Sequence, residues 1–184
     1  PVKAIELKEA VLGYAYISTT KYGPMSHARL NPGEENSGKL VTLVRDNARR
    51  VAEEENIELI INDGPPGIGC PVIASVSGVD LGLIVVEPTL SGIHDMVRAL
   101  RLLDHFGIES IVCVNKYSLN EENTREIAEF CSRNGVELAG MIPFDRRVTE
   151  AMVSGMPIVE YSPRSEVSKE IYKIWNTILE HLRM

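Results

Sequence analysis

Cysteine is scarce in this sequence: three among 184 residues, at positions 70, 113 and 131. So sparse and scattered a set builds no disulfide framework, and a reducing cytoplasm is the expected compartment. No apolar run approaches the ~20 residues that a membrane-spanning helix needs. No stretch reads as a signal peptide. Excess positive charge is missing as well. The formal net charge is −7, and the pair Arg49-Arg50 is soon answered by Glu53-Glu54-Glu55; both argue against non-specific nucleic-acid binding. There is no internal repeat and no low-complexity segment. The chain opens on Pro1 rather than Met, which fits ordinary processing or the loss of something upstream.

What is present is an ordinary globular composition, 44% hydrophobic and 24% charged. The length suits one domain with its own core. Residues 13–18 and 27–30 read as two short strands, with Gly23-Pro24 breaking the chain between them. From Ser37 the pattern becomes regular. Ser37 caps a helix whose apolar positions are Leu40, Leu43, Val44, Ala48, Val51 and Ala52. A strand is expected over 57–61, a loop after it, and strands over 81–86, 110–114 and 136–142. Helices are expected over 91–106, from Asn120 to about Arg133, over 146–154, and from Ser165 onward. A last short strand is expected at 158–160. Alternating helices and continuous apolar strands predict an α/β fold, a mostly parallel sheet covered on both faces.

Ligands of such sheets sit beyond the carboxyl ends of the strands. Those ends read Asp63, then Glu87-Pro88-Thr89, then Asn115-Lys116, then Pro143-Phe144-Asp145. Asp63 opens the loop Asp63-Gly64-Pro65-Pro66-Gly67-Ile68-Gly69-Cys70. A carboxylate there suits Mg²⁺ held through water, and Gly67 suits a backbone N–H aimed at a terminal phosphate. The same residues also make a plain tight turn. Asn115 has an amide that could read a purine edge, or bond its own turn. Cys113 and Cys131 lie in apolar contexts and read as core. Gly33-Glu34-Glu35-Asn36-Ser37-Gly38-Lys39-Leu40 nearly matches a phosphate-binding loop. It fails because Leu40 lacks the hydroxyl, Glu34 and Glu35 would repel phosphate, and no buried strand precedes it.

Taken together, Asp63-Gly64-Pro65-Pro66-Gly67, Glu87-Pro88-Thr89, Val114-Asn115-Lys116, Ile142-Pro143-Phe144-Asp145 and Gly155-Met156-Pro157 resemble the MinD/ParA/Mrp class of deviant P-loop ATPases, over about residues 36–184. Pro1-Val2-Lys3-Ala4-Ile5 resembles the tail of a ferredoxin motif. With Tyr22-Gly23-Pro24, Glu35 to Val41 and Ile68-Gly69-Cys70-Pro71, it is similar to the subgroup carrying an inserted ferredoxin domain. The resemblance implies that residues 1–34 are the remnant of that insert with a connecting β ribbon, and that 35–184 are the C-terminal part of the ATPase domain. The P-loop and the ferredoxin cysteines would lie upstream.

The resemblance further implies ATP and Mg²⁺ as cofactors, with Asp63 on Mg²⁺ through water, Gly67 on the γ-phosphate, and Asn115, Lys116, Pro143, Phe144 and Asp145 around the base. It implies a homodimer, ATPase activity of the full-length protein, and an inactive isolated fragment. In the nitrogenase iron protein of the same superclass, a cysteine seven residues past the switch aspartate helps bind a [4Fe–4S] cluster between subunits. Asp63 to Cys70 has that spacing, which implies a cluster and a redox or iron–sulfur partner; a plain loop thiol is the alternative. Two other readings are a receiver-like module using Asp63, Thr89 and Lys116, and a non-catalytic interaction domain. The last helix mixes Lys169, Lys173 and Arg183 with Glu166, Glu170 and Glu180, which favours docking on the sheet over a membrane surface.

Overall fold

The computed structural model describes residues 11–35 and 37–183. The ferredoxin-like stretch at 1–5 lies outside the described residues, as does Asn36. Chain contacts fall into two compact units, Pro1–Ser77 and Gly78–Met184.

In the first unit, β1 (Gly13–Thr20) and β2 (Gly23–Leu30) form an antiparallel ribbon running from the pair Gly13–Leu30 to Thr20–Gly23. The ribbon is longer than the two short strands expected. Pro24 sits inside β2 opposite Thr19 rather than breaking the chain. A two-stranded ribbon has an outer edge where the missing N–H costs nothing. Helix α1 (Gly38–Glu55) starts at Ser37, whose hydroxyl accepts from the Leu40 N–H, and stops at Asn56 in the left-handed region. Ser26 Oγ donates to the Val44 carbonyl at 2.7 Å and ties β2 to α1.

Residues 57–61 form no strand, contrary to the sequence expectation. Ile57 N–H folds back onto the Ala52 carbonyl at 2.8 Å, and Ile61 is 76% exposed. The run has strand composition, but a strand exists only against a neighbour, and none pairs with it among the described residues. The loop that follows is shorter than expected, because Cys70 opens a helix, α2 (Cys70–Val76), with Pro71 in its first turn. Arg45 Nη1 donates to the Ala74 carbonyl at 2.5 Å, joining α1 to the end of α2.

The second unit runs β3 (Leu81–Val86), α3 (Leu90–His105), β4 (Glu109–Asn115), a 3-10 turn (Tyr117–Leu119), α4 (Glu121–Asn134), β5 (Glu137–Ile142), α5 (Arg146–Val153), α6 (Ile158–Tyr161) and α7 (Glu166–Leu182). The sheet order is β3-β4-β5, all parallel. Central β4 is buried on both faces. Val112 and Val114 pack with Met96 and Leu100 of α3 and with Ile127 and Cys131 of α4. Ile111 and Cys113 pack with Ile174 of α7. This is the α/β architecture expected, with helices on both faces of a parallel sheet.

Cys113 and Cys131 are core residues, as read from their context. Burial, reinforced by the nearby Glu170 charge, pushes the Cys113 thiol up to about 11. Burial also raises Cys131. Helix α7 docks on the sheet. A Cβ at Gly140 would lie 2.6 Å from Ile174 Cγ1, so β5 and α7 approach closely there. Among the described residues, no helix is long and apolar enough to cross a membrane.

The short strand expected at 158–160 is instead the single helical turn α6. Ile158-Val159 suggested a strand by β-branching. Pro157 sets the entry, with its carbonyl accepting from Glu160 and Tyr161 N–H. Ser168 Oγ then donates toward the Ser162 and Ile158 carbonyls at 2.7 and 3.3 Å, clamping the turn onto α7.

Candidate functional site

Because β3, β4 and β5 are parallel, their carboxyl ends deliver Glu87-Pro88-Thr89, Asn115-Lys116 and Pro143-Phe144-Asp145 to one edge of the second unit. The three connecting loops are cross-braced. Lys116 Nζ lies 2.6 Å from Glu87 Oε1. Asn123 Nδ2, in the first turn of α4, donates to the Pro88 carbonyl at 3.0 Å. The Phe144 backbone N–H donates to Ser118 Oγ at 3.1 Å. Sequence reasoning had not singled out Ser118 or Asn123. Ser118 lies in the 3-10 turn after β4 and Asn123 in the first turn of α4, and only the folded contact distinguishes either from an ordinary polar turn residue.

Lys116 adopts the left-handed conformation, φ +58, at the exit of β4. The side chain of Asn115 makes no hydrogen bond among the described residues, so its amide is available at the rim. Phe144 is 48% exposed. Asp145 is less free. Its carboxylate caps α5 through the Arg147 N–H at 2.9 Å and pairs with the Arg147 guanidinium, Nε standing 3.0 Å from each oxygen. The hydrogen bonds from the Arg147 side chain, then its backbone N–H, hold the Asp145 carboxyl below the ordinary carboxylate range. Thr89 Oγ1 accepts from the Gly92 N–H at 3.0 Å and caps α3.

The other sequence-predicted site residues belong to the first unit. Asp63 is exposed and makes no hydrogen bond or ion pair among the described residues. Gly67 has φ +95, a conformation glycine alone adopts freely, and no heavy atom lies within 4 Å of where a Cβ would stand. Gly69 precedes the first turn of α2, and Cys70 is an exposed free thiol. Among the described residues no three His, Cys, Asp or Glu side chains converge as a metal site. A carboxylate free for a hydrated cation, followed by an unobstructed glycine, fits Mg²⁺–phosphate binding. A lone thiolate fits a cluster only if further ligands come from elsewhere.

The second unit is thus a parallel α/β sheet with polar strand-end loops, and the first unit bears an acid–glycine loop. No family model matches the chain. The uncharacterized protein MJ0578 of Methanocaldococcus jannaschii is 32% identical over 162 residues, 88% of this chain and 53% of that protein. The uncharacterized ATP-binding protein MJ0823 of the same organism is 32% identical over 125 residues, 67% of this chain and 47% of that protein. An iron-sulfur cluster carrier protein of Aquifex aeolicus is 28% identical over 142 residues, 68% of this chain and 38% of that protein. In fold, the MinD cell division protein of Aquifex aeolicus superposes with a TM-score of 0.67 at 21% identity, covering 89% of this chain and 68% of that one. The septum site-determining protein MinD of Pyrococcus horikoshii, complexed with Mg-ADP, superposes with a TM-score of 0.63 at 18% identity, covering 77% and 56%. In sequence and fold the chain resembles the MinD/ParA/Mrp class of P-loop ATPases. It spans about half the length of the curated relatives it matches.

Proposed function

We propose that this chain is the C-terminal part of an ATP-binding and ATP-hydrolysing switch protein linked to iron–sulfur cluster or electron transfer. The observation that carries this reading is the 63–70 segment: an exposed, unpartnered carboxylate, an open glycine at positive φ, and an exposed thiol at the head of a helix. Relatives described as ATP-binding and as iron-sulfur cluster carriers support it.

In this reading Asp63 would hold a hydrated Mg²⁺. The metal, when bound, neutralises phosphate charge. Gly67 presents its N–H to the γ-phosphate, and loss of that phosphate releases the loop. Asn115 reads the purine edge with a side-by-side donor and acceptor. Lys116, Pro143, Phe144 and Asp145 shape the base pocket. Asp145 acts there mainly through the α5 cap it makes. Cys70 begins the helix next to the loop and would shift with it. One thiolate holds no [4Fe–4S] cluster, so a second subunit of a homodimer, or cysteines of an inserted ferredoxin domain, would complete the set. Residues 1–34 would then be the ribbon left by that insert, and 35–184 the remainder of the ATPase domain.

The test uses the full-length protein. Asp63→Ala is expected to abolish Mg²⁺-dependent ATP turnover while the protein remains folded; wild-type turnover would sink the switch role. Cys70→Ala is expected to lower iron content; unchanged iron and unchanged redox behaviour would remove the cluster role alone. The isolated 184-residue chain is expected to bind ATP weakly or not at all by calorimetric titration. Tight, Mg²⁺-dependent binding would show that no upstream phosphate cradle is needed.

A further inference from the structure

At the end of the sheet opposite the strand-end loops, His181 in the last turn of α7 stands between two carboxylates. Its Nδ1 lies 2.8 Å from Glu109 Oε1, and its Nε2 lies 3.0 Å from Glu137 Oε2. Glu109 opens β4 and Glu137 opens β5. Glu137 pairs with Ile111 in the parallel ladder, and Glu109 lies two residues before Ile111. Alternation along a strand therefore puts both acids on the same face as Ile111, the face that α7 covers.

The arrangement is not a metal site. The two carboxylates sit on opposite nitrogens of one ring, so the three groups do not converge on a common point. A neutral imidazole has one N–H and can donate to one acid only. The second nitrogen would then turn a lone pair toward a carboxylate oxygen. Only the imidazolium donates to both. We infer that His181 is a proton-dependent latch that pins the end of α7 to the first residues of β4 and β5.

Other charges near the latch do not replace it. Strand β3 (Leu81–Val86) carries no charged residue. Helix α6, which carries Glu160, is tied to the opposite end of α7, where Ser168 bonds the Ile158 carbonyl. On α7 itself, Glu180 and Arg183 flank the histidine in sequence, and Lys173 pairs with Glu170 at 2.9 Å. The helix C-terminus also favours a cation, through the partial negative charge of its free carbonyls.

The Glu137 hydrogen bond first, then the Glu109 bond and the two acids' charges, raise His181 above its ordinary value of about 6.5. A raised folded value fixes the sign. The latch is fully engaged below about pH 6.5 and is lost as pH rises through the folded value. Its release loosens the end of α7 locally, without unfolding the sheet.

The test follows the His181 ring by NMR and the protection factors of the last-turn α7 amides, in the whole chain, from about pH 5.5 to about pH 8.5. His181 is expected to titrate above its ordinary value. Last-turn protection should fall through the same midpoint, roughly tenfold for each unit of elevation. Glu137→Gln and Glu109→Gln should each move the midpoint back toward the ordinary value. His181→Gln should remove the pH dependence while Ile174 stays buried. A His181 midpoint at or below the ordinary value in the unsubstituted chain would overturn the latch, as would protection that does not change with pH. Both readouts come from the unsubstituted chain, so the test survives a variant that fails to fold.

Discussion

Lys116 reaches across the rim of the sheet to Glu87, Nζ to Oε1 at 2.6 Å, while its own backbone sits at φ +58. Charge and conformation pull in different directions at this residue. The ion pair is partly exposed on both sides and contributes at most about 1 kcal/mol. The left-handed backbone costs a non-glycine residue about 1–2 kcal/mol. Lys116→Gly is therefore expected to change stability by less than about 1 kcal/mol. Lys116→Val should cost more than Lys116→Gly, because β-branching adds to the backbone penalty. Urea denaturation of the two variants gives the comparison.

Gly92 packs against the loop that carries Glu87. A Cβ there would stand 2.4 Å from the Glu87 carbonyl oxygen, a backbone atom that cannot swing away. Gly92→Ala is expected to destabilise by roughly 1–3 kcal/mol through overpacking. Gly82→Ala meets only the Leu103 side-chain tip, at 2.6 Å, and should cost less. Thermal melts of both variants separate backbone from side-chain crowding.

Ser168 is fully buried and joins three partners: Ser165 Oγ at 2.9 Å and the Ser162 and Ile158 carbonyls. Ser168→Ala is expected to cost about 1–3 kcal/mol, since the buried Ser165 hydroxyl loses its acceptor, while the Ser162 and Ile158 carbonyls keep backbone N–H partners. The loss should appear first as faster hydrogen exchange in α6 (Ile158–Tyr161). Ser168→Cys, close in size but a weak donor, should fall between wild type and Ala.

Of the three thiols, Cys70 is exposed while Cys113 and Cys131 are 1% exposed. Only the thiolate reacts quickly, and burial holds Cys113 at about 11. Native protein at neutral pH is expected to label once, at Cys70, with iodoacetamide. Denatured protein should label at all three. Mass spectrometry of the labelled peptides counts them.

Asp145 makes its contribution as a carboxylate. Its folded value lies below the ordinary range because Arg147 donates to it. The sign follows: its stabilisation is present above the ordinary carboxylate value of about 3.9 and is lost as pH falls through the depressed value. Asp145→Asn retains a competent helix cap but removes the charge. It should lower the neutral plateau toward the acid level and leave the acid end little changed, so the acid limb of the stability curve flattens.

The sheet of the second unit was legible because β4 is apolar at every position from Ile111 to Val114, and only a strand covered on both faces requires that. The helix starts were legible because Ser37, Asn120 and Ser165 are polar side chains that accept from a first-turn N–H in the structure. Two strands were misread for one reason. Residues 57–61 and 158–160 have β-branched composition, but composition does not specify a partner, and neither segment has one among the described residues. The strand-end cluster Glu87, Asn115, Lys116 and Asp145 follows from parallel topology alone. The bonds from Asn123 and Ser118 do not, since they depend on how far α4 and β5 sit from the neighbouring loops. The carboxylates beside His181 are 72 and 44 positions away in sequence, and no local pattern signals them.

Space around Gly67 is open, yet its backbone lies at φ +95. What bars other residues from this position is therefore handedness and not volume. Alanine, serine and leucine should be penalised to similar degrees, since their bulk meets nothing while their chirality meets the same forbidden region. Asparagine, which tolerates positive φ best among L-residues, should be penalised least. The loop is thus guarded by the stereochemistry of one α-carbon. It can lose its shape through a substitution that no search for steric collisions would flag.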